Sequence, residues 1–293
     1  RPNDAVNSCW MPDSHRLNYK YINAETRIPQ PVIRTDAGAP HRPSTWEPAL
    51  ASVTEAVKRV SPHQLAIIAS GRMTNEELYM VRHLAAQIGT DMVDIVPRMG
   101  ESDGMLIAAD RNPNTNGAKL VLGIEPGSRL AAIRDGVRNG SIKGILTLGE
   151  DLTAPEAGFT AEDLKKLDYL FMTAHSVNET ARHADLVLPG VTYAEKFGTM
   201  INVTGRIQRL NRAIQPVGYA RDDWQILRDI TLLLGGNPAL KDFNSALDIL
   251  TVMSTEYGAL NGVTWGSIGD GGQPILETGV TIPVVEHEKS QGR

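Results

Sequence analysis

Apolar residues follow two different periods along the chain, and each change of period marks a predicted element. Over residues 46–60 they recur every three or four positions, which is one face of a helix. Residues 65–69 form a short continuous apolar run, which is typical of a buried strand. A second helical pattern covers residues 74–88 and opens with Thr74, a common N-cap residue, and residues 92–96 form another apolar run. These segments predict a βαβ unit.

The same alternation of buried strands and amphipathic helices continues towards residue 190. We predict further strands over residues 120–124, 143–148, 168–174 and 185–188, with helices over residues 130–137, after Thr160 and after Asn178. Five or six short apolar strands that alternate with helices are typical of the α/β class. The pattern therefore predicts an α/β fold with a doubly wound, mostly parallel sheet.

The period also divides the chain into three predicted regions. Residues 1–46 are rich in Pro, Asn and Arg without a sustained period, and we interpret them as an extended N-terminal arm. Residues 47–240 hold the alternating elements and form the predicted α/β domain. Residues 241–293 contain one further helical pattern followed by Gly- and Pro-containing sequence, which predicts a closing helix and an extended C-terminal tail.

Composition narrows the possible partners. Apolar residues make up 41% of the chain and charged residues 22%, as in an average globular protein. The net charge of -5 comes from 34 acidic and 29 basic residues without long runs of one sign, so nucleic acid would find no basic track. No apolar run approaches the roughly 20 residues that span a bilayer. We predict neither nucleic acid binding nor direct membrane insertion.

Cysteine content limits the redox chemistry of the chain. Cys9 is the single cysteine, and one thiol can neither close an internal disulfide nor hold an iron–sulfur cluster, which usually needs several thiolates. It lies beside Trp10, where we expect a buried and inert thiol. The histidines show no spacing that is typical of a metal site. We therefore predict no metal site in this chain.

The ends of the predicted strands offer only isolated candidates for chemistry. Ser70-Gly71 follow the first strand, but no glycine-rich phosphate loop opens a helix there or elsewhere. His175 follows a later strand, and a capping or core-edge histidine explains it better than a general base, because no carboxylate or nucleophile stands at a suitable spacing. We expect Glu150-Asp151 to solvate a loop and cap the next segment. The sequence predicts no catalytic and no cofactor-binding residue.

One stretch carries a more specific pattern. It reads ADLVLP over residues 184–189, then EK-x-GT over residues 195–199, then N-x-x-GR-x-Q over residues 202–208. The stretch resembles the molybdopterin oxidoreductase superfamily, in which these three motifs follow one another with this spacing. The resemblance implies the α/β fold of formate dehydrogenase-type domains, and a neighbourhood that lies near the pterin cofactor in catalytic members.

A second segment narrows the resemblance. Residues 6–19 read VNSCWMPDSHRLNY and are followed by PVIR over residues 31–34. They are similar to a segment of the large iron–sulfur subunit of bacterial complex I and of its mitochondrial counterpart. The chain departs from this pattern at Pro12, where relatives with an extra cluster have a cysteine, and at His15, which replaces a glycine. Since proline has no thiolate, an extra cluster is not expected at this place.

Together the two resemblances imply a non-catalytic structural domain of the large iron–sulfur subunit of a respiratory NADH:quinone oxidoreductase. Such a domain would scaffold the electron-input arm and hold no cofactor, with iron–sulfur clusters on a missing upstream segment or on neighbouring subunits. The implied partners are that cluster-bearing segment and the other hydrophilic subunits of a complex I-like assembly. The implied location is cytoplasmic, peripheral to the inner membrane through the complex. We expect a shortened fragment of the usual domain.

The surface of the N-terminal arm is the expected interface. Amphipathic aromatic residues are enriched at interfaces, and the arm and its end carry Trp10, Tyr19, Tyr21 and Trp46.

Other functions stay open at this point. The chain could be a fragment of an active molybdopterin oxidoreductase such as an NAD-linked formate dehydrogenase, the equivalent subunit of an NAD-linked hydrogenase, or an unrelated nucleotide-binding module.

Overall fold

A seven-stranded sheet forms the centre of the computed structural model, which describes residues 2–34 and 38–292. Its strands in chain order are β1 (Val32–Ile33), β2 (Arg42–Pro43), β3 (Leu65–Ala69), β4 (Val93–Ile95), β5 (Gly144–Leu148), β6 (Tyr169–Ala174) and β7 (Leu186–Pro189). Strands β3 to β7 pair in parallel, whereas β1 and β2 extend the β7 edge in antiparallel pairing. The predicted α/β class with a mostly parallel sheet is confirmed.

The order of the parallel strands creates one reversal in the sheet. Across the sheet they run β4-β3-β5-β6-β7, so the chain passes from β3 outward to β4 and then returns to β5 on the other side of β3. The carboxyl ends of β3 and β5 therefore flank a topological switch point. Open α/β sheets bind their ligands at such a point.

Helices cover both faces of the sheet. They are α1 (Asp13–Arg16), α2 (Trp46–Arg59), α3 (Asn75–Ile88), α4 (Thr115–Leu122), α5 (Leu130–Asn139), α6 (Ala161–Leu164), α7 (Glu179–His183), α8 (Asp223–Leu233), α9 (Ala246–Glu256), α10 (Trp265–Ile268) and α11 (Pro283–Ser290). Successive side chains of a strand point to opposite faces, and accordingly Ile67 of β3 packs in one core with α2, α3, α8 and α9, whereas Ile68 packs in a second core with α5.

A smaller antiparallel sheet lies beside the main one. It consists of β8 (Gly198–Ile201), β9 (Arg206–Leu210) and β10 (Gln273–Pro274), with β9 in the middle. Strands β8 and β9 form a hairpin in which Met200 pairs with Gln208. This hairpin contains the whole N-x-x-GR-x-Q motif and the last two residues, Gly198 and Thr199, of the EK-x-GT motif.

Two predicted elements are wrong. The apolar run over residues 120–124 is the end of α4 and not a strand; Gly123 ends this helix with a φ of +67°. So short an apolar run fits a strand or a buried helix equally well, so the sequence pattern could not distinguish between the two. The predicted extended tail within residues 241–293 contains α10, β10 and α11, and α11 begins at Pro283, a residue that suits the first turn of a helix.

Part of the predicted N-terminal arm belongs to the main sheet. Strand β1 pairs with β7, so that Val32 lies opposite Val187. Just before it, the Ile28 amide donates to the His175 carbonyl at 3.0 Å, and the Val177 amide donates to the Thr26 carbonyl at 2.8 Å. The arm therefore lies against the carboxyl end of β6. Within the described residues, no helix has the length and apolar character needed to cross a membrane.

Candidate functional site

Charged and polar residues collect at the carboxyl edge of the parallel sheet. Ser70 follows β3, Arg98 follows β4, Glu150 follows β5 and His175 follows β6. Because all these strands run in the same direction, their carboxyl ends meet along one edge. This edge, which includes the switch point, is the candidate functional site.

An ion pair spans the switch point. Arg98 Nη1 donates to Glu150 Oε1 at 2.8 Å, and Arg98 Nη2 donates to Glu150 Oε2. The Glu150 side chain is fully buried and that of Arg98 is 12% exposed. Strands β4 and β5 flank β3, so the pair lies across the end of β3. The expectation that Glu150 solvates a loop is therefore wrong.

The turn after β3 is covered by the connection that follows β4. A Cβ atom on Gly71 would lie 2.5 Å from Cγ of Asn112, so only glycine fits beneath this side chain. Asn112 is held in place because its amide group donates to the Val96 carbonyl at 2.9 Å. The Asn114 amide in turn donates to the Gly71 carbonyl at 3.0 Å. Asn112 and the ion pair together cover the end of β3 at the switch point.

His175 is held as a neutral imidazole. Its ring packs against that of Tyr21, with centroids 5.3 Å apart, and Nδ1 lies 2.9 Å from Ser176 Oγ. Burial, together with the positive charges of Arg27 and Lys196, lowers the pKa of His175 to about 4. The interpretation of His175 as a core-edge residue fits this environment. A base with so low a pKa would be a weak proton acceptor at neutral pH.

A second buried ion pair ties the N-terminal arm to the β7–β8 connection. Arg27 Nη2 donates to both carboxylate oxygens of Glu195, at 2.9 and 2.7 Å. Arg27 Nε also donates to the His175 carbonyl at 3.0 Å. Glu195 accepts further hydrogen bonds from the amide and hydroxyl of Thr192. Glu195, the glutamate of the EK-x-GT motif, is thus buried and hydrogen-bonded to Arg27 and Thr192.

The lysine of the same motif forms a third buried contact. Lys196 Nζ donates to both oxygens of Glu77 at 2.8 and 2.9 Å and lies 3.9 Å from Asp223 Oδ2. Burial disfavours the ammonium form, but the charges of Glu77 and Asp223 outweigh it and raise the pKa of Lys196. Glu77 also accepts from the Thr74 amide and so completes the capping box of α3. This contact joins α3, α8 and the β7–β8 connection.

The N-x-x-GR-x-Q motif forms the turn of the β8–β9 hairpin. Asn202 Oδ1 accepts from the amides of Thr204 and Arg206 at 3.1 and 3.0 Å, and Asn202 Nδ2 donates to Gln208 Oε1 at 3.1 Å. Gly205 has a φ of +80°, a conformation that favours glycine. The motif residues therefore bond to one another.

Cys9 is exposed, so the expectation of a buried thiol is wrong. Within residues 2–34 and 38–292, no group of three or more His, Cys, Asp or Glu is arranged to hold a metal ion. The prediction that the chain contributes no catalytic, cofactor-binding or metal residue stays a prediction.

Sequence reasoning missed both arginines of the buried ion pairs. Arg98 could have been found, because it lies two residues after a predicted strand, as Glu150 does, and the ends of two strands of one parallel sheet share an edge. Arg27 lies in the arm, 168 residues before Glu195, and no sequence period pointed to their contact.

Comparison with known proteins relates a large part of the chain to one family. Residues 100–231 match the model of the molybdopterin oxidoreductase family. The chain is 34% identical over 149 residues to subunit alpha of F420-dependent formate dehydrogenase 1 from Methanococcus maripaludis, a match that covers 46% of this chain and 22% of that protein. It is also 34% identical over 144 residues to subunit alpha of the NADPH–Fe(3+) oxidoreductase from Geobacter sulfurreducens, covering 48% of this chain and 17% of that protein. The matches thus span less than a quarter of these relatives.

Solved structures support the fold. Acetylene hydratase from Pelobacter acetylenicus superposes with a TM-score of 0.63 and 9% identity over 94% of this chain and 70% of that chain. At this identity the likeness concerns the fold alone. Residues 100–231 are therefore similar to the molybdopterin oxidoreductase family, and formate dehydrogenase-type proteins are among the relatives that the chain matches.

Proposed function

We propose that this chain is a non-catalytic structural domain of the large iron–sulfur subunit of a multi-subunit oxidoreductase. The single observation that carries the proposal is the Arg98–Glu150 ion pair across the end of β3. It occupies the switch point, where this class of sheet carries its ligands. Electrons would then pass through clusters on neighbouring polypeptide, and this domain would hold the assembly together.

The residues at the switch point do not fit a nucleotide-bearing cofactor. Each oxygen of Glu150 accepts from Arg98, and Asn112 lies over Gly71, so a phosphate could approach only by displacing a buried ion pair. Removing one partner from a buried pair leaves an uncompensated charge, which is strongly unfavourable. Arg27, Glu195 and the neighbouring side chains along the same edge are likewise bonded to each other. We therefore assign no reaction step to this edge.

The parent assembly is also part of the proposal. The segment over residues 6–19 supports an NADH:quinone oxidoreductase of the complex I type. The relatives from Methanococcus and Geobacter instead support a formate dehydrogenase-type protein or an NADPH-linked oxidoreductase. The family match supports a molybdopterin oxidoreductase in general. An active formate dehydrogenase-type fragment is accordingly the second candidate, and it differs from the first in its need for a bound molybdenum or tungsten cofactor.

The metal content of the purified chain distinguishes the two candidates. The chain would be produced in a host that makes the molybdenum cofactor, beside a known molybdenum enzyme as the positive control. Molybdenum and tungsten would be measured by mass spectrometry, released pterin by fluorescence, and formate oxidation with an artificial electron acceptor. We expect far less than one metal ion per chain and no formate oxidation. Stoichiometric metal with pterin would instead support the catalytic candidate.

The N-terminal arm supplies the proposed interface with the cluster-bearing polypeptide. Its side chains at Trp10, Met11, Leu17 and Tyr19 are about half exposed, although all four are large and apolar. Exposed apolar patches of this kind mark interaction sites. Tyr21 and Trp46 are less available, because Tyr21 packs on His175 and Trp46 stacks under Arg221 at 4.1 Å.

Co-purification tests this interface. The double substitution Trp10→Ala and Tyr19→Ala should reduce recovery of the cluster-bearing polypeptide by at least about tenfold, since interface aromatics often contribute about 2 kcal/mol or more. Leu247→Ala, an exposed apolar residue of α9, is the matched control and should leave recovery unchanged. Equal recovery of the double variant and the control would count against the interface.

A further inference from the structure

A compact group of buried charges lies where three elements meet, on the inner side of the candidate site. The first turn of α3 supplies Glu77, the β7–β8 connection supplies Lys196, and the first turn of α8 supplies Asp223. Asp222, the residue before α8, pairs with Arg212 at 2.7 Å. We call this group the junction cluster.

The junction cluster holds more carboxylates than cations. Glu77, Asp222 and Asp223 face Lys196 and Arg212, and the three acidic side chains are each at least 92% buried. Oδ1 of Asp222 accepts no hydrogen bond from any described residue. An ionised carboxylate with an unbonded buried oxygen is unfavourable, whereas a protonated one lowers the charge imbalance.

Glu76 adds a fourth carboxyl group beside the cluster. Its side chain is fully buried and accepts from the amide and the hydroxyl of Thr199, each at 2.8 Å. Among the described residues, no cation lies within ion-pair distance of it. Burial raises the pKa of Glu76 to about 7.

The two aspartates are shifted in the same direction. Burial, together with the negative charge of Glu77, raises the pKa of Asp222 to about 7. Burial and the charge of Glu77 likewise raise the pKa of Asp223 to about 6. The other charged groups around the junction are engaged elsewhere. Arg27 pairs with Glu195, and Arg221 and Arg228 both pair with Asp229; His175 is neutral.

We infer that this junction is a proton-binding site, in which Glu76 and the Asp222–Asp223 pair each hold one proton in the folded protein. Its ligand is the proton itself. Release of these protons places one further negative charge between α3 and β8, at Glu76, and one at the start of α8, where Asp223 faces Lys196. The first turn of α8 should then open more easily, and the site would make the packing of this helix sensitive to pH near neutrality.

Carbon NMR of the full chain tests the inference directly. With Asp and Glu labelled in the carboxyl group, each side chain reports its own titration. We expect two or three carboxyl resonances with midpoints between about pH 6 and 7, well above the usual range near pH 4. Glu76→Gln and Asp222→Asn assign them. If every carboxyl resonance titrates below about pH 5, the junction binds no such protons and the inference is overturned.

Stability against pH gives a second and independent readout. A carboxyl whose pKa is higher in the folded chain binds protons more tightly there, so the folding equilibrium constant falls as pH rises from about 4 through the folded pKa. We expect a fall of at least about tenfold between pH 5 and pH 8 in the wild type, and a smaller fall in Glu76→Gln and in Asp223→Asn. Asp168→Asn, an exposed carboxylate elsewhere, should behave as the wild type. Identical pH profiles for all four proteins would overturn the inference of a proton-binding site. If a variant fails to fold, the NMR titration of the wild type tests the inference.

Discussion

Arg98 and Glu150 meet directly above the end of β3 although they are 52 residues apart in the sequence. Their two parallel hydrogen bonds form a fork of guanidinium and carboxylate, the geometry in which an arginine holds an acid most firmly. Asn112 closes the space beside them. Three side chains of the protein therefore lie over the end of β3.

Removal of the Glu150 charge should destabilise the fold. Glu150→Gln leaves the guanidinium of Arg98 without its partner in a largely buried place, and such a loss costs about 3 kcal/mol. Urea denaturation would measure the free energy of unfolding. Arg59→Gln is the control, because its pair with Glu55 is mostly exposed and contributes less than about 1 kcal/mol. The double substitution Arg98→Met and Glu150→Leu should recover most of the loss, and a Glu150→Gln variant as stable as the control would contradict the assignment.

The sequence predicted correctly those helices and strands that a local pattern of residues identifies. The predicted strand over residues 65–69 and the helix that Thr74 opens agree with β3 and α3, because a buried run and a capping box are local signals. The mostly parallel pairing of the strands was predicted from the alternation of strands and helices. The strand over residues 120–124 was predicted wrongly, since so short an apolar run has no period that separates a strand from a buried helix.

The candidate site was less predictable than the fold. The contacts of Glu195 with Arg27 and of Lys196 with Glu77 join residues that are more than one hundred positions apart. No local pattern predicts such a contact. The EK-x-GT motif showed only that Glu195 and Lys196 are part of one pattern of the superfamily that the sequence resembles. The burial of Glu150 depends on the same tertiary packing.

The turn of the β8–β9 hairpin should tolerate no side chain at Gly205. A Cβ at this position would lie 2.2 Å from the carbonyl oxygen of Leu276, and the φ of +80° adds strain for any other residue. Gly140→Ala is a matched control, because its φ is +82° and nothing lies within 4 Å of the added atom. Both variants suffer the conformational strain of about 1–2 kcal/mol. Gly205→Ala should lose about 1–3 kcal/mol more in thermal or urea unfolding, as overpacking does. Equal losses would show that the hairpin turn is not closely packed on Leu276.

His175 should make the free energy of unfolding depend on pH between about 4 and 6.5. Burial lowers its pKa to about 4 in the folded chain, whereas an unfolded histidine titrates near 6.5. The unfolded chain therefore binds more protons between these values, so the stability that neutral His175 provides is present above about pH 6.5 and is lost as the pH falls towards 4. NMR of the imidazole should place its midpoint near 4. The difference in unfolding free energy between wild type and His175→Gln should shrink over the same interval, and a midpoint near 6.5 would contradict the burial argument.

Arg27 should hold the N-terminal arm on the sheet. Its guanidinium bonds to Glu195 and to the His175 carbonyl, so Arg27→Met keeps the apolar length of the side chain but removes both contacts and leaves Glu195 buried without its cation. Hydrogen exchange should then accelerate at the amides of Ile28 and Val177, which form the hydrogen bonds between the arm and the end of β6. Lys20→Met, an exposed residue of the same arm, should leave both rates unchanged. The measurement is exchange followed by mass spectrometry on peptides that cover residues 20–33 and 175–180. Acceleration confined to the first peptide would mean that Arg27 orders the arm without holding it on the strand end, and unchanged exchange in both would show that β1 alone suffices.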